Sequence, residues 1–401
     1  MTAMTIDTAG SEPLDNPFGS KAKAIRMAPK LAFRNLFHDR MSLFVTLIGI
    51  VFSVVLVAIQ TGLYLGSERT IAVVLDETRP DLWVVPVGTK SFDDASLLTG
   101  RENYAVLSTP GVASTEELVV GFSSWRKPEG GKKAIVLVGS NWTRGGLKPW
   151  NIVEGSAGEL ASPSAVAIDK SYFVDLGITK VGDTAEINNA RVQVKAVSKG
   201  IRSFTTLPYV FTSLSKARQL TGAAPEQSSY ILVKVADGAD KLKVRDALAT
   251  RIKDAEVLTH AEFRARSTNY WLFKTGAGMA LIAGALLGVI VGVVIVAQTL
   301  YSSTKDHLNE FATLRALGAS ARYIHLVILL QALMSAVLGY AAGLALSLAA
   351  IEGSKATTLK IVMTPELAAA LFVLTIGMCA IAAMTAILKV TRIDPAGVFS
   401  R

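Results

Sequence analysis

Residues 275–304 read TGAGMALIAGALLGVIVGVVIVAQTLYSST, an unbroken run without Asp, Glu, Lys or Arg. A helix crosses the roughly 30 Å hydrocarbon core of a bilayer in about 20 residues, so this run is long enough to span it. Residues 41–67, 323–351 and 367–388 are equally free of charge. Helices of soluble proteins usually show one polar face, and none of these four does over twenty residues. The sequence therefore predicts a membrane protein with four transmembrane α-helices. Composition agrees: 51% of the 401 residues are hydrophobic and 18% charged, where a soluble domain carries about 25% charged residues. The lone cysteine, Cys379, excludes a disulfide scaffold, and the hydrophobic excess excludes intrinsic disorder.

The charge balance of 41 Lys and Arg against 32 Asp and Glu, +9 in all, suits a membrane surface or a nucleic acid. Its placement favours the lipid bilayer, and no nucleic acid is expected. Lys21, Lys23, Arg26, Lys30, Arg34 and Arg40 precede span one against Asp39 alone. Lys389, Arg392 and Arg401 follow span four against Asp394. The positive-inside rule then puts both termini in the cytoplasm of a multi-pass inner (plasma) membrane protein. The expected order is a cytoplasmic tail and basic segment (1–40), span one (41–66) and a large outer domain (67–269). Span two (270–304) follows, with Tyr270, Trp271 and Phe273 as an interfacial aromatic belt. A cytoplasmic helix (305–322), span three (323–351), an outer loop (352–366), span four (367–388) and a tail (389–401) complete it. Span one is too long for a signal-peptide core and no A-x-A site follows it, so it reads as a retained anchor.

The outer domain reads as mixed α+β. Residues 82–87, 117–125, 133–138, 207–212 and 229–236 are β-branched or aromatic runs between turn residues, and 191–197 alternates as a half-buried strand does. Residues 213–220 and 240–253 read as helices capped by Ser213 and Asp240, and 259–269 as a helical stalk leading to span two.

Catalytic chemistry is missing from the sequence. No phosphate-binding G-x-x-x-x-G-K-[ST] occurs; the fragment Gly130-Gly131-Lys132-Lys133 lacks the first glycine and the hydroxyl. Of His38, His260, His307 and His325, only His260 lies in the outer domain, so no histidine cluster is available for a metal. No catalytic, cofactor-binding or metal residue is assigned. His325, just inside span three, is an ionisable group in lipid or a neutral imidazole near the headgroups. Cys379 reads as a small apolar packing residue.

Small residues repeat every fourth position in two spans: Gly284, Gly288 and Gly292 in span two, and Ser335, Gly339, Gly343 and Ser347 in span three. Such stripes let helix backbones approach closely in lipid, either among the four spans or across a dimer seam. In the loop between those spans, Leu308, Phe311, Leu314 and Leu317 fill about half of a helical wheel, and Gly318 is a natural stop. Glu310 and Arg315 fall inside that apolar arc, a placement that suits docking into a partner's pocket.

The loop segment Glu310-Phe311-Ala312-Thr313-Leu314-Arg315-Ala316-Leu317-Gly318-Ala319 resembles the E-I-G-x-L-[RK]-A-[LI]-G-A motif of the FtsX/MacB/LolC-type ABC permeases (type VII-like). Leu31-Ala32-Phe33-Arg34-Asn35-Leu36 is similar to that family's L-A-x-R-N-L ahead of span one, and Arg392-Ile393-Asp394-Pro395-Ala396 to its closing R-x-D-P-[AI]. Phe311 and Ala312, in place of Ile-Gly, look more like the DevC branch. The resemblance implies a homodimer whose coupling helix (Glu310, Leu314, Arg315, Leu317, Gly318) docks on a separate cytoplasmic ABC ATPase. ATP and Mg would be held by that partner and none by this chain, and a membrane-fusion adaptor would meet the outer domain. It also implies mechanotransmission rather than a substrate channel, with a smaller lobe at about 147–196 of a MacB-like core domain. Two other classes stay open: an FtsX-like transmitter that activates an outer hydrolase, and a membrane-anchored enzyme.

The basic flank carries a prediction. On a wheel Lys23, Arg26, Lys30 and Arg34 share one side, and each contributes about 1 kcal/mol near anionic lipid. Pro29 either breaks such a helix or starts it at the first helical position. Reversing all four charges is expected to weaken insertion or invert the topology. Reporter fusions at the C-terminus check this; an unchanged cytoplasmic signal at full yield would remove the orienting role.

Overall fold

A computed structural model describes residues 21–142, 146–316, 319–354 and 361–391. The chain forms two compact units. The first is built from Met1–Gly62, Ile282–Gly353 and Met363–Arg401, the second from Leu63–Leu281 and Ser354–Val362.

The first unit is helical. α1 (Lys21–His38) and α2 (Arg40–Ile71) are separated only by Asp39, whose carboxylate accepts from Ser42 N–H at 3.0 Å and caps α2. Pro29, expected to start or break a helix, instead lies within α1. The helix tolerates it because Ala28 and Ala32 on either side are fully buried against Tyr323 and Val327. Tertiary packing thus outweighs the lost backbone hydrogen bond.

The second unit begins with the end of α2 and α3 (Val73–Thr78), then β1 (Leu82–Pro86), α4 (Arg101–Leu107), β2 (Val112–Arg126) and β3 (Lys132–Ser140). β4 (Ile152–Gly155), β5 (Ala165–Asp169), α5 (Phe173–Leu176), β6 (Thr184–Ile187), β7 (Ala190–Ser198) and β8 (Tyr209–Ser213) follow. α6 (Leu214–Thr221), β9 (Tyr230–Val235), α7 (Lys241–Arg251), β10 (Ala255–Thr259) and α8 (His260–Asn269) close it. The strands form one mixed sheet in the order β10-β1-β9-β2-β3-β8-β5-β7-β4, with β6 beside β2 and β7. The expected α+β domain is present.

Local chemistry explains most of these elements. Ser213 Oγ accepts from Lys216 N–H, and Asp240 Oδ1 from Leu242 N–H at 2.9 Å, so both expected caps form. Thr259 and Glu262 make a reciprocal capping box at the start of α8. Gly130 and Gly131, with φ of 101° and 85°, turn the β2–β3 hairpin, a conformation that a side chain would strain. Four strands escaped the sequence reading: β4, β5, β6 and β10. They are four or five residues long, and β5 is buried at every position, so no alternation marks it.

The expected small lobe, 147–196, holds β4 to β6 and most of β7. Its core surrounds Trp125 and Tyr172, with Trp125 Nε1–H donating to Leu176 O at 3.0 Å. It is joined to its flanks through the same sheet, because β8 runs parallel to β3 and antiparallel to β5. On the other side Trp83 packs edge-on against Phe92 and Tyr230 and tilted against Phe263, with centroids 5.2–6.4 Å apart.

α8 does not run straight into the next span. It passes into a π-helical turn, Tyr270–Lys274, and Gly276, at φ 83°, breaks the chain before α9 starts at Ala277. Span two therefore begins beyond the aromatic belt, at Ala277 rather than at Tyr270. α9 (Ala277–Asp306), α10 (Leu308–Ala316), α11 (Ala321–Gly353) and α12 (Pro365–Thr391) complete the chain. α2, α9, α11 and α12 are the four helices long and apolar enough to cross a membrane among the described residues.

The loop between β1 and α4 is held down by buried polar contacts. Tyr209 Oη donates to Asp93 Oδ1 at 2.7 Å, and Tyr230 Oη donates to Phe92 O at 2.9 Å. Burial raises the Asp93 carboxyl from its ordinary 3.8 to about 6, against the opposing hydrogen bond from Tyr209. Its folded pKa lies above its unfolded one, so its contribution is complete below about pH 4 and lost as pH rises through about 6. Asp93→Asn keeps an acceptor for Tyr209 and carries no charge. It is expected to stabilise the protein above pH 6, by up to about 3 kcal/mol, and to converge on wild type near pH 4. Thermal unfolding between pH 4 and 8 checks this; a difference independent of pH contradicts it.

Candidate functional site

The segment with the densest sequence signal is the elbow between α9 and α11. α9 ends at Asp306, His307 forms a turn, and α10 restarts with Phe311 N–H bonded to His307 O at 3.0 Å. Phe311 is only 5% exposed and lies in a cluster with Val296, Leu300, Ile324, Ile328 and Ala383. Leu314 packs against that cluster and against the Ala28–Ala32 cluster of α1. Ala319 N–H returns to Leu314 O at 2.9 Å, and Ser320 caps α11 through Tyr323 N–H.

The apolar arc drawn on the helical wheel is therefore divided. Phe311 sinks into the chain's own helices, and Leu314, half-buried, packs on two of their clusters while keeping part of its surface exposed. Glu310 stays 60% exposed, with one carboxylate oxygen 3.1 Å from His307 Nδ1. Asn309 and Thr313 are exposed on the same edge. Leu317, Gly318 and the side chain of Arg315 lie outside the described residues, as does the closing motif at 392–396. In the basic flank Lys30 and Arg34 are exposed, while the side chains of Lys23 and Arg26 fall outside the described residues. His325 is half-buried in the first turns of α11, and Cys379 is buried among the apolar residues of the bundle.

The glycine stripes both point at α2. A Cβ placed on Gly284 would lie 2.6 Å from Gln60 Nε2, and one on Gly288 would lie 3.1 Å from Val57. On Gly292 it would meet Ser53 Oγ and Met378 Sδ at 2.5 Å. From α11, Gly339 faces Ile50 at 2.5 Å and Gly343 faces Val54 at 2.8 Å. Of the two roles open to these stripes, the glycines fill the internal one. Ser53 seals the contact by donating from Oγ to Gly288 O at 2.8 Å in the interior. Ser53 and Gln60 were missed by sequence reasoning. The signal was available, because a polar side chain within a span needs a partner.

Among the described residues no group of His, Cys, Asp and Glu could hold a metal ion. His260, the outer domain's histidine, sits 4.0 Å from Asp76 Oδ1 beside the Arg264 guanidinium, which donates to Asp76 at 2.8 Å.

Residues 43–251 match the family described as MacB-like periplasmic core domain, and residues 282–395 match the FtsX-like permease C-terminal family. The chain belongs to the FtsX/MacB-type ABC permeases. Its place in that family makes it an inner-membrane permease subunit of an ABC-type transporter, working with an ABC ATPase. Two solved structures are similar to the permease over the outer domain. The extracellular domain of the noncanonic ABC-type transporter YknZ from Gram-positive bacteria is 17% identical, TM-score 0.33, over 45% of this chain and 99% of that one. The periplasmic region of MacB from Actinobacillus actinomycetemcomitans is 13% identical, TM-score 0.34, over 47% and 92%. No curated protein matches the permease.

The glycine contacts give a graded test. Gly339→Leu drives a side chain into Ile50 and is expected to destabilise the permease by about 1–3 kcal/mol or more. A Cβ placed on Gly377 of α12 would meet nothing within 4 Å, so Gly377→Ala is expected to be neutral or up to about 1 kcal/mol stabilising. Folded yield and thermal unfolding in one detergent check both; equal behaviour contradicts the internal seam.

Proposed function

We propose that this permease converts ATP-driven closure of a separate cytoplasmic ATPase into motion of its outer domain, without conducting substrate through its spans. The observation that carries the reading is the α10 elbow. Phe311 and Leu314 anchor it in the helical unit while Glu310 faces outward, so force applied to the exposed edge passes into α9 and α11. The basic flanks support cytoplasmic termini, with the elbow on the same side as the ATPase. ATP and Mg are held by the partner, and this chain does no chemistry of its own.

The reading includes a homodimer. With the glycine faces occupied by α2, the dimer contact falls to other surfaces, and α9 is the least enclosed span, with Leu286, Leu287, Ile290 and Val294 more than half exposed. The E-F-A-T-L elbow supports a DevC-like arrangement in which a membrane-fusion adaptor meets the outer domain and the system exports or extracts its substrate.

The elbow supplies the test. Truncating one member of a desolvated charged contact costs about 2–5 kcal/mol, which is roughly thirty-fold or more in affinity. Glu310→Ala/Arg315→Ala is expected to release the ATPase while leaving insertion and the outer domain intact. Co-purification of the ATPase, with hydrolysis rates, checks this; wild-type behaviour of the double variant overturns the coupling role.

A further inference from the structure

The helical unit contains a small, partly open polar cavity. It lies where the α1–α2 elbow meets α9 and α11, and its polar lining includes Asn35, Asp39, Ser42, Ser303, Gln331 and Ser335. The space open to the centre of a water molecule is about 10 Å³, the room that one ordered water requires. Two of its side chains are deeply buried and lack partners. Asn35 is 7% exposed with Nδ2 unpaired, and Ser335 is 0% exposed with Oγ unpaired. Gln331, at 6% exposure, stands one turn from Ser335 on the same helix.

An unpaired buried donor or hydroxyl is costly in a low-dielectric interior. Two such groups lining one water-sized cavity therefore point to a shared ligand. The unpaired group on Asn35 is an N–H donor, which repels a cation and suits a neutral oxygen acceptor. Ser335 Oγ can donate or accept. Water meets both requirements and fits the volume.

We propose that this cavity is a hydration site holding one ordered water that bridges Asn35 Nδ2 on α1 to Ser335 Oγ on α11. The bridge ties the α1–α2 elbow to span three. A water-mediated contact can re-form over a range of separations. The joint is therefore polar and adjustable, unlike the close glycine contacts deeper in the unit.

Radiolytic hydroxyl labelling of the full-length permease in lipid nanodiscs tests this, because a bound water generates its radical in place. Leu300 lines the cavity and is 4% exposed; Leu371, at 3%, does not line it. Wild-type protein is expected to be oxidised at Leu300 and not at Leu371. Ser335→Val removes the hydroxyl and fills the space, and should lose the Leu300 label. The thermal shifts of Asn35→Leu and Ser335→Ala should be less than additive in the double variant, since both break one bridge. Leu300 as silent as Leu371 in wild type overturns the proposal without any variant being needed. Labelling at Leu300 that requires sodium and vanishes in choline buffer also overturns it, by putting a cation where the water is assigned.

Discussion

Close approach of α2 to its neighbours is the constraint on which the membrane unit depends. In lipid no hydrophobic gain draws helices together, so association rests on dispersion contacts that only small residues allow at short range. Gly284, Gly288 and Gly292 from one side, and Gly339 and Gly343 from another, leave room for Ser53, Val57, Ile50 and Val54. The arrangement makes α2 the common partner of α9 and α11. The outer domain is inserted directly after α2, so the helix these glycines contact is the one that leads into it.

The outer unit solves its own problem differently. Its single sheet joins three cores, one around Trp83, Phe92, Tyr230 and Phe263, a second around Trp125 and Tyr172, and a third where Leu82, Val84, Ile231 and Val233 meet Val244 and Leu248 of α7. β8 is the hinge of the topology, since its parallel pairing with β3 and antiparallel pairing with β5 let an inserted lobe share a continuous ladder. The arginines of α8 tie the stalk into this unit. Arg264 reaches Asp76 and Glu68, and Arg266 reaches Glu256 at 2.7 Å. Hydrogen bonds from Arg266 and Gly88 N–H hold the Glu256 carboxyl below its usual range despite partial burial.

Much of this was legible in the sequence, for physical reasons. A charge-free run of twenty residues has one stable solution in lipid, so the spans were visible. Side-chain caps are local, so Ser213, Asp240 and Thr259 could be read as helix starts. Fully buried short strands such as β5 carry no period, and the helical wheel of α10 could not tell which half of its apolar arc the chain would claim for itself. Pro29 was misread because propensity was weighed without the packing of Ala28 and Ala32. The glycine stripes announced close contact, but spacing alone does not say with which helix.

The elbow separates what holds it from what it displays. Phe311 and Leu314 pack on the interior, whereas Asn309, Glu310 and Thr313 are exposed. Substitution along that narrow outward edge leaves the buried architecture untouched. A chain of this design can therefore change what its elbow displays without rebuilding the scaffold that holds it.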